Sequence, residues 1–223
     1  MKWQIKRFDE VESTNETATS FPADSVIIAT RQTKGRGRYG RKWESPTGNL
    51  YLSAVVSDFG KKTPLLAFLA GVSVAEALTE FKVRLKWPND VLLNGGKVAG
   101  ILLERTEKNT VIIGIGINVA NAPTQNMMYQ TASLNNKITL SKLEIRLLNA
   151  LKNNLDLFRN DKFDAIQKKW LSFAEGIGQK IQVHLPNQTL TGKFTQLSPQ
   201  GELILETPDK IVHKISAGDV FLI

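Results

Sequence analysis

The segment Arg31-Gln-Thr-Lys-Gly-Arg-Gly-Arg-Tyr-Gly-Arg-Lys42 gathers six basic residues and no acid around three glycines. Glycine lets a backbone approach a ligand closely, and successive backbone N–H groups can cradle an anion. The interleaved arginines offer forked donors that suit phosphate or carboxylate. A solvated basic loop has the same composition, so composition alone leaves both readings open. Gly35-Arg-Gly-Arg-Tyr-Gly40 also satisfies G-x-G-x-x-G, but a dinucleotide fingerprint needs that turn to open a helix. The following Arg41-Lys-Trp-Glu-Ser-Pro-Thr-Gly48 has no helical periodicity. The P-loop pattern fails as well, because Arg41 stands where its lysine belongs.

Two further groups could do chemistry. Lys86-Trp-Pro-Asn-Asp90 closes a strand-like run and by itself reads as a Pro-Asn-Asp turn. Lys97 heads the apolar run Val98-Ala-Gly-Ile-Leu-Leu103. A lysine on a largely buried strand is costly unless it meets an anion; otherwise it is a strand-end residue whose head reaches water. The chain has no cysteine, and its two histidines are His184 and His213. A disulfide framework and a Cys-ligated zinc are thereby excluded. So are a His-based triad and a Cys nucleophile before residue 184. Chemistry that depends on positioning and charge neutralisation fits better, and phosphoryl and nucleotidyl transfers are of that kind.

The elements that must hold these groups follow from periodicity. A first strand is expected over residues 3–8. A capping box, Ser13-Thr-Asn-Glu16, then opens a short helix to about Phe21-Pro22. Val26–Thr30 and Leu50–Val56 read as strands, and Pro64–Phe81 as one long apolar helix. Val83–Trp87 alternates. Val91-Leu-Leu93, Asn94-Gly-Gly96 and Lys97–Glu104 form a hairpin signal, and Thr110–Val119 is a further strand. Residues 122–138 are expected to form a polar loop. A second capping box, Ser141-Lys-Leu-Glu144, opens a helix with Leu143, Leu147, Leu151, Leu155 and Phe158 on one face. Another helix runs from Phe163 to Phe173. Short alternating segments begin at Gly178, so residues 1–176 and 177–223 are expected to be separate domains. The fold class is α+β: a mixed β-sheet backed by helices, followed by a small all-β module.

At 223 residues and 42% hydrophobic content, the chain can build a core of moderate size. Its first residues lack the apolar region of a secretory signal, and no run of eighteen apolar residues occurs. A cytoplasmic protein without a membrane span is expected. The net charge of +8 suits nucleic acid, an acidic partner or phosphorylated ligands.

Six blocks, in order, carry a resemblance: Glu12–Asn15, Gln32–Trp43, Gly48–Ser53, Lys86–Asp90, Gly96–Glu104 and Gly114–Asn118. Over nearly its whole length the chain resembles the biotin–protein ligases, short form, without an N-terminal DNA-binding domain. The resemblance implies a biotin/lipoate ligase-like catalytic domain with a C-terminal SH3-like β-barrel. It implies activation of biotin by MgATP to biotinyl-5'-AMP, then transfer to a specific lysine of a biotin carboxyl carrier protein. ATP and Mg²⁺ enter as co-substrate and ion, and no permanently bound cofactor is implied.

The resemblance assigns biotin binding to Ser13, Thr14, Asn15, Gln32, Gly35, Arg36, Gly37, Arg38, Lys97, Gly100 and Gly114. ATP and adenylate binding fall to Arg36, Arg38, Arg41, Lys86, Asn89, Asp90, Lys97 and Asn118. Lys97 and Arg38 are the catalytic pair, and Asp90 is the Mg²⁺ candidate. Free N–H groups at the start of the first helix are expected to serve the ureido carbonyl. With a strand expected from residue 3, no helix-turn-helix precedes it, so DNA binding is not expected. The resemblance also allows a homodimer. A lipoate or octanoate ligase or transferase would share the fold; a histidine in its Gly-rich block would be expected, and none precedes residue 184. A nucleic-acid-binding module would use the basic loop and the β-module but would leave Lys86–Asp90 without a role.

Overall fold

The computed structural model describes residues 2–123 and 130–223. Seven strands form the larger sheet: β1 (Gln4–Val11), β2 (Ser25–Gln32), β3 (Leu50–Ser57), β4 (Arg84–Lys86), β5 (Asp90–Leu93), β6 (Gly96–Arg105) and β7 (Thr110–Ile117). Their order is β1-β2-β3-β7-β6-β5-β4. β1 runs parallel to β2 and the other pairs are antiparallel, so the sheet is mixed. The α+β reading of the sequence holds.

Alternation along the central strands decides which face does what. On β3, Leu50, Leu52, Ala54 and Val56 join the main core. On β7, Val111, Ile113, Ile115 and Ile117 do the same. Three helices cover this face: α2 (Leu66–Ala77), α3 (Leu140–Arg159) and α4 (Phe163–Phe173). α2 is buried on nearly every side, as expected of a helix that is apolar all round. The opposite face carries Tyr51, Ser53 and Val55 on β3 and Ile112, Gly114 and Gly116 on β7. Here Ser53 lies opposite Gly114, which lies opposite Leu102, and Gly116 lies opposite Gly100 on β6. A five-residue helix, α1 (Thr14–Ala18), covers one end of this face, where Ala18, Ile27, Val55 and Ile112 form a small second core. The rest is left open over glycine.

Three local expectations need correction. The Pro64–Phe81 helix is broken: Gly60–Leu65 and Thr79–Phe81 are 3-10 turns, and only Leu66–Ala77 is α-helical. Pro64 cannot donate in an α-helical interior, and the chain leaves through Lys82 in the left-handed region at φ 52°. The cap of α3 is Thr139, whose side chain accepts from Lys142 N, two residues before the expected Ser141. Glu144 is thereby freed to meet Arg7 at 2.6 Å. Ser13 does precede α1, but its side chain makes no capping bond, so that capping box does not form. Of the expected 122–138 loop, residues 124–129 lie outside the described residues. Beyond them the chain adds a short rung beside β6, with Lys97 N donating to Gln130 O and Ala132 N to Lys97 O.

The C-terminal strands are β8 (Lys180–His184), β9 (Thr189–Leu197), β10 (Leu203–Glu206), β11 (Val212–Ile215) and β12 (Asp219–Leu222). They pair antiparallel in the order β11-β10-β9-β8-β12, a separate sheet of the kind an SH3-like module uses. It is seated firmly. The buried Trp87 indole donates to Gly201 O at 3.0 Å, and Gln167 Nε2 donates to Leu197 O and Ser198 O. Gly201 packs so closely on Phe68 that a Cβ there would fall 2.6 Å from the ring. Among the described residues, no helix is long and apolar enough to cross a membrane.

Candidate active site

The open face of the larger sheet is the floor of a cavity of about 550 Å³, a size typical of small-ligand sites. Glycine makes the floor. A Cβ on Gly114 would lie 2.2 Å from Asn15 Oδ1, one on Gly116 2.5 Å from the Trp43 indole nitrogen, and one on Gly100 3.1 Å from the same indole. Any side chain at 114 or 116 would therefore displace what now lies there.

The basic Gly-rich segment is the roof. It folds back as a small hairpin, with Trp43 N donating to Gly35 O at 2.9 Å and Gly37 N to Arg41 O at 2.7 Å. Tyr39 and Gly40 turn the chain at φ 56° and 71°. No helix follows, which agrees with rejecting the dinucleotide fingerprint. The loop's cations meet partners from different elements. Arg31 pairs with Glu10 at 2.9 Å and Lys34 with Glu12 at 2.8 Å. Arg36 lies 3.5 Å from both Glu16 and Glu104. Arg38 donates to Asn89 Oδ1 at 2.9 Å and to the Tyr39 hydroxyl at 2.7 Å. Arg41 reaches Asp219 of β12 at 2.6 Å.

At one end of the cavity Ser13, Thr14 and Asn15 form a buried polar wall. Asn15 Oδ1 accepts from Ser53 Oγ at 2.6 Å, and its Nδ2 donates to Glu104 at 2.6 Å. Gln32 Oε1 accepts from both Thr14 N and Thr14 Oγ1, and Gln32 Nε2 donates to Ser45. The expectation of a free N–H at the start of α1 is corrected at Thr14, because Gln32 takes it. Tyr51 holds the strap behind Trp43 by donating to Pro46 O at 2.7 Å. Burial pushes this phenol up to about 12, despite hydrogen bonds that pull the other way, so it stays neutral and fixed.

At the other end Lys97 Nζ lies 2.6 Å from Asp90 Oδ1, with both side chains largely covered. The contact is an ion pair that lacks hydrogen-bond alignment, because among the described residues Oδ1 accepts no hydrogen bond. Lys97 Nζ also stands 5.5 Å from the Trp43 ring centre, a favourable cation–π distance. Lys86 is off the cavity wall, beside the Phe221 ring at 5.3 Å. Burial lowers its pKa; Asp90 and Asp219 push the other way, while Lys97 lowers it further.

The expected site residues thus fall into two groups. Ser13, Thr14, Asn15, Gln32, Arg36, Gly37, Arg38, Arg41, Asn89, Asp90, Lys97, Gly100 and Gly114 converge on one cavity. Gly35, Lys86 and Asn118 stand behind its wall. Gly35 lets Trp43 O approach to 2.4 Å of where a Cβ would be. Asn118 is buried and donates to Ala132 O and, at 3.4 Å, to Lys97 O, which supports the Lys97 backbone. Sequence reasoning gave no role to Trp43, Tyr51, Ser53, Glu104 and Asp219. Trp43 had a signal, a large indole closing a glycine-rich basic run. Asp219 had none, since 178 positions separate it from Arg41.

Among the described residues no three His, Cys, Asp or Glu side chains are placed to hold a metal. The single carboxylate of Asp90 suits Mg²⁺ delivered on a nucleotide's phosphates, which keeps much of its water and needs one or two protein carboxylates.

Residues 7–118 match the biotin/lipoate A/B protein ligase family, and residues 176–223 match the biotin protein ligase C terminal domain. The chain is 34% identical to the bifunctional ligase/repressor BirA of Bacillus subtilis, over 96% of this chain and 72% of that protein. It is 31% identical to the biotin–[acetyl-CoA-carboxylase] ligase of Paracoccus denitrificans, over 88% and 92%. A solved structure of the Aquifex aeolicus biotin protein ligase in complex with biotin and ATP superimposes with a TM-score of 0.88. It covers 98% of this chain and 99% of that one, at 30% identity. The glycine-floored cavity under a basic hairpin, joined to a small antiparallel module, is therefore the site of a chain that belongs to the biotin protein ligase family.

Proposed function

We propose that the chain activates biotin with MgATP to biotinyl-5'-AMP and transfers the biotinyl group to one lysine of a biotin carboxyl carrier protein. The observation that carries this reading is a single cavity with a neutral polar end at Ser13, Thr14 and Asn15 and a cationic end at Arg38 and Lys97. Biotin offers a neutral ureido ring at one end and a carboxylate at the other, which matches that polarity. Residues 1–176 would form the catalytic domain, and 177–223 the module that supplies Asp219 to its rim. The reaction's need for ATP and a carrier domain favours a cytoplasmic setting, and the positive charge is assigned to phosphates and an acidic carrier.

In the first step the biotin carboxylate oxygen attacks the α-phosphorus of ATP, and the bond to pyrophosphate breaks. In the second, the unprotonated carrier amine attacks the acyl carbon, the acyl–oxygen bond breaks and AMP leaves. Lys97 and Arg38 offset negative charge that grows on the phosphate, a preorganised electrostatic contribution. Lys97 must exchange Asp90 for the phosphate or share itself between them. Bound with ATP, Mg²⁺ would rest on Asp90 and the phosphates and supply further charge neutralisation. Trp43 and the hairpin exclude water, which would otherwise hydrolyse the mixed anhydride.

The reading is tested by pyrophosphate release from ATP. Release should depend on biotin and should stay at background with lipoate or octanoate. Equal release with lipoate would shift the assignment to the lipoate branch. Salt-sensitive binding to random oligonucleotides without biotin-dependent release would favour a nucleic-acid-binding module. A second expectation follows from the roof. Arg38→Ala should still form biotinyl-AMP but lose it to solvent about tenfold or more faster, the loss of a charge-assisted clamp. Nearby lysines would then be labelled without discrimination, and a variant that labels only the proper carrier lysine would exclude this role for Arg38.

A further inference from the structure

We infer that Glu104 is a positioning residue that couples the head-group end of the cavity to the roof. The inference rests on the biotin-ligase reading of the cavity. Glu104 closes an otherwise apolar strand run, and its two oxygens serve two masters. Oε2 accepts from the Asn15 amide at 2.6 Å, while Oε1 faces the Arg36 guanidinium at 3.5 Å. Asn15 is 5% exposed and its other end accepts from Ser53. With Oδ1 and one Nδ2 hydrogen engaged, the orientation of the amide is set. Among the described residues one N–H is left to meet an acceptor such as a ureido carbonyl.

The Arg36 contact is of a different kind. At 3.5 Å to each of two carboxylates, and half-exposed, it is loose and screened by solvent. Arg36 sits in the hairpin that roofs the cavity. A carboxylate that grips Asn15 tightly and Arg36 loosely lets the roof stay seated near the head group while leaving the guanidinium able to move. Glu104 thus sets the head-group geometry through its hydrogen-bonding capacity and restrains the roof through its charge.

The two contributions separate by substitution. In Glu104→Ala both are lost. The biotin KM should rise about tenfold with kcat changed far less, as expected for one charge-assisted hydrogen bond that orients a binding group. Biotinyl-AMP should also escape faster. Glutamine keeps an acceptor for Asn15 but no charge for Arg36, so Glu104→Gln should rescue most of the biotin KM and still release the adenylate several-fold faster than the parent. The assay measures biotin-dependent pyrophosphate exchange and free biotinyl-AMP for parent, Ala and Gln proteins side by side. An Ala variant with the parental biotin KM, or a Gln variant that retains the adenylate as well as the parent does, overturns the inference. A parent protein without biotin-dependent exchange overturns instead the reading of the site on which it rests.

Discussion

Lys97→Met is expected to slow adenylate formation at least about a hundredfold, roughly 2.7 kcal/mol of transition-state stabilisation. Methionine keeps much of the stem and its packing against Trp43 but removes the charge. Lys97→Arg should also fail substantially, because a planar fork does not replace a compact ammonium between carboxylate and phosphate. The ion pair with Asp90 adds a second consequence. Asp90 is 14% exposed at its side chain, so the Met variant leaves a mostly covered carboxylate without its cation and should lose about 1–3 kcal/mol of stability. Adding Asp90→Asn should restore much of that stability by removing the orphaned charge, while adenylation stays low. Pyrophosphate release and thermal unfolding on the single and double variants separate the two effects. A double variant that adenylates no more slowly than Asp90→Asn alone would make Lys97 a structural partner of Asp90 and nothing more.

Gly114→Ala should be as damaging for a different reason. Its methyl group would sit 2.2 Å from Asn15 Oδ1, closer than any non-bonded contact allows. The obstructing oxygen accepts from Ser53, and the nitrogen of the same amide donates to Glu104, so the group has no free path aside. Asn15 must turn, and the polar end of the cavity loses its arrangement. We expect biotin kcat/KM to fall about a hundredfold, the value of roughly two hydrogen bonds. The change should lie chiefly in KM for biotin, with KM for ATP altered little. An unchanged biotin KM in the alanine variant would show that Asn15 does not face the ligand.

Much of this architecture was legible in the chain. Val26–Thr30, Leu50–Val56 and Thr110–Val119 are runs too apolar for an exposed position, and each became an interior strand of the sheet. Asn94 and Gly95 occupy the left-handed region at φ 50° and 80°, as the hairpin signal requires. What failed was local and tertiary in origin. Ser141 is by composition at least as good a cap as Thr139, yet packing of α3, with Glu144 aimed at Arg7, selects the earlier one. The apolar run from Pro64 could not reveal where 3-10 turns would end it.

The site divides similarly. The basic Gly-rich run left an anion-binding loop and a solvated one equally open, and its acidic partners were invisible because they lie on β1 and just after it, on α1, β6 and β12. Gly100, Gly114 and Gly116 became a floor only once the register set them side by side on one face. Trp43, Ser53 and Glu104 acquired roles from what the register and the hairpin bring beside them.

The most direct measurement is intact-mass and peptide analysis of a biotin carboxyl carrier domain incubated with this protein, MgATP and an equimolar mixture of biotin, lipoate and octanoate. The account predicts one biotinyl group on a single carrier lysine, dependent on ATP and lost with Lys97→Met. A carrier that stays unmodified, or that gains a lipoyl or octanoyl group instead, would contradict it.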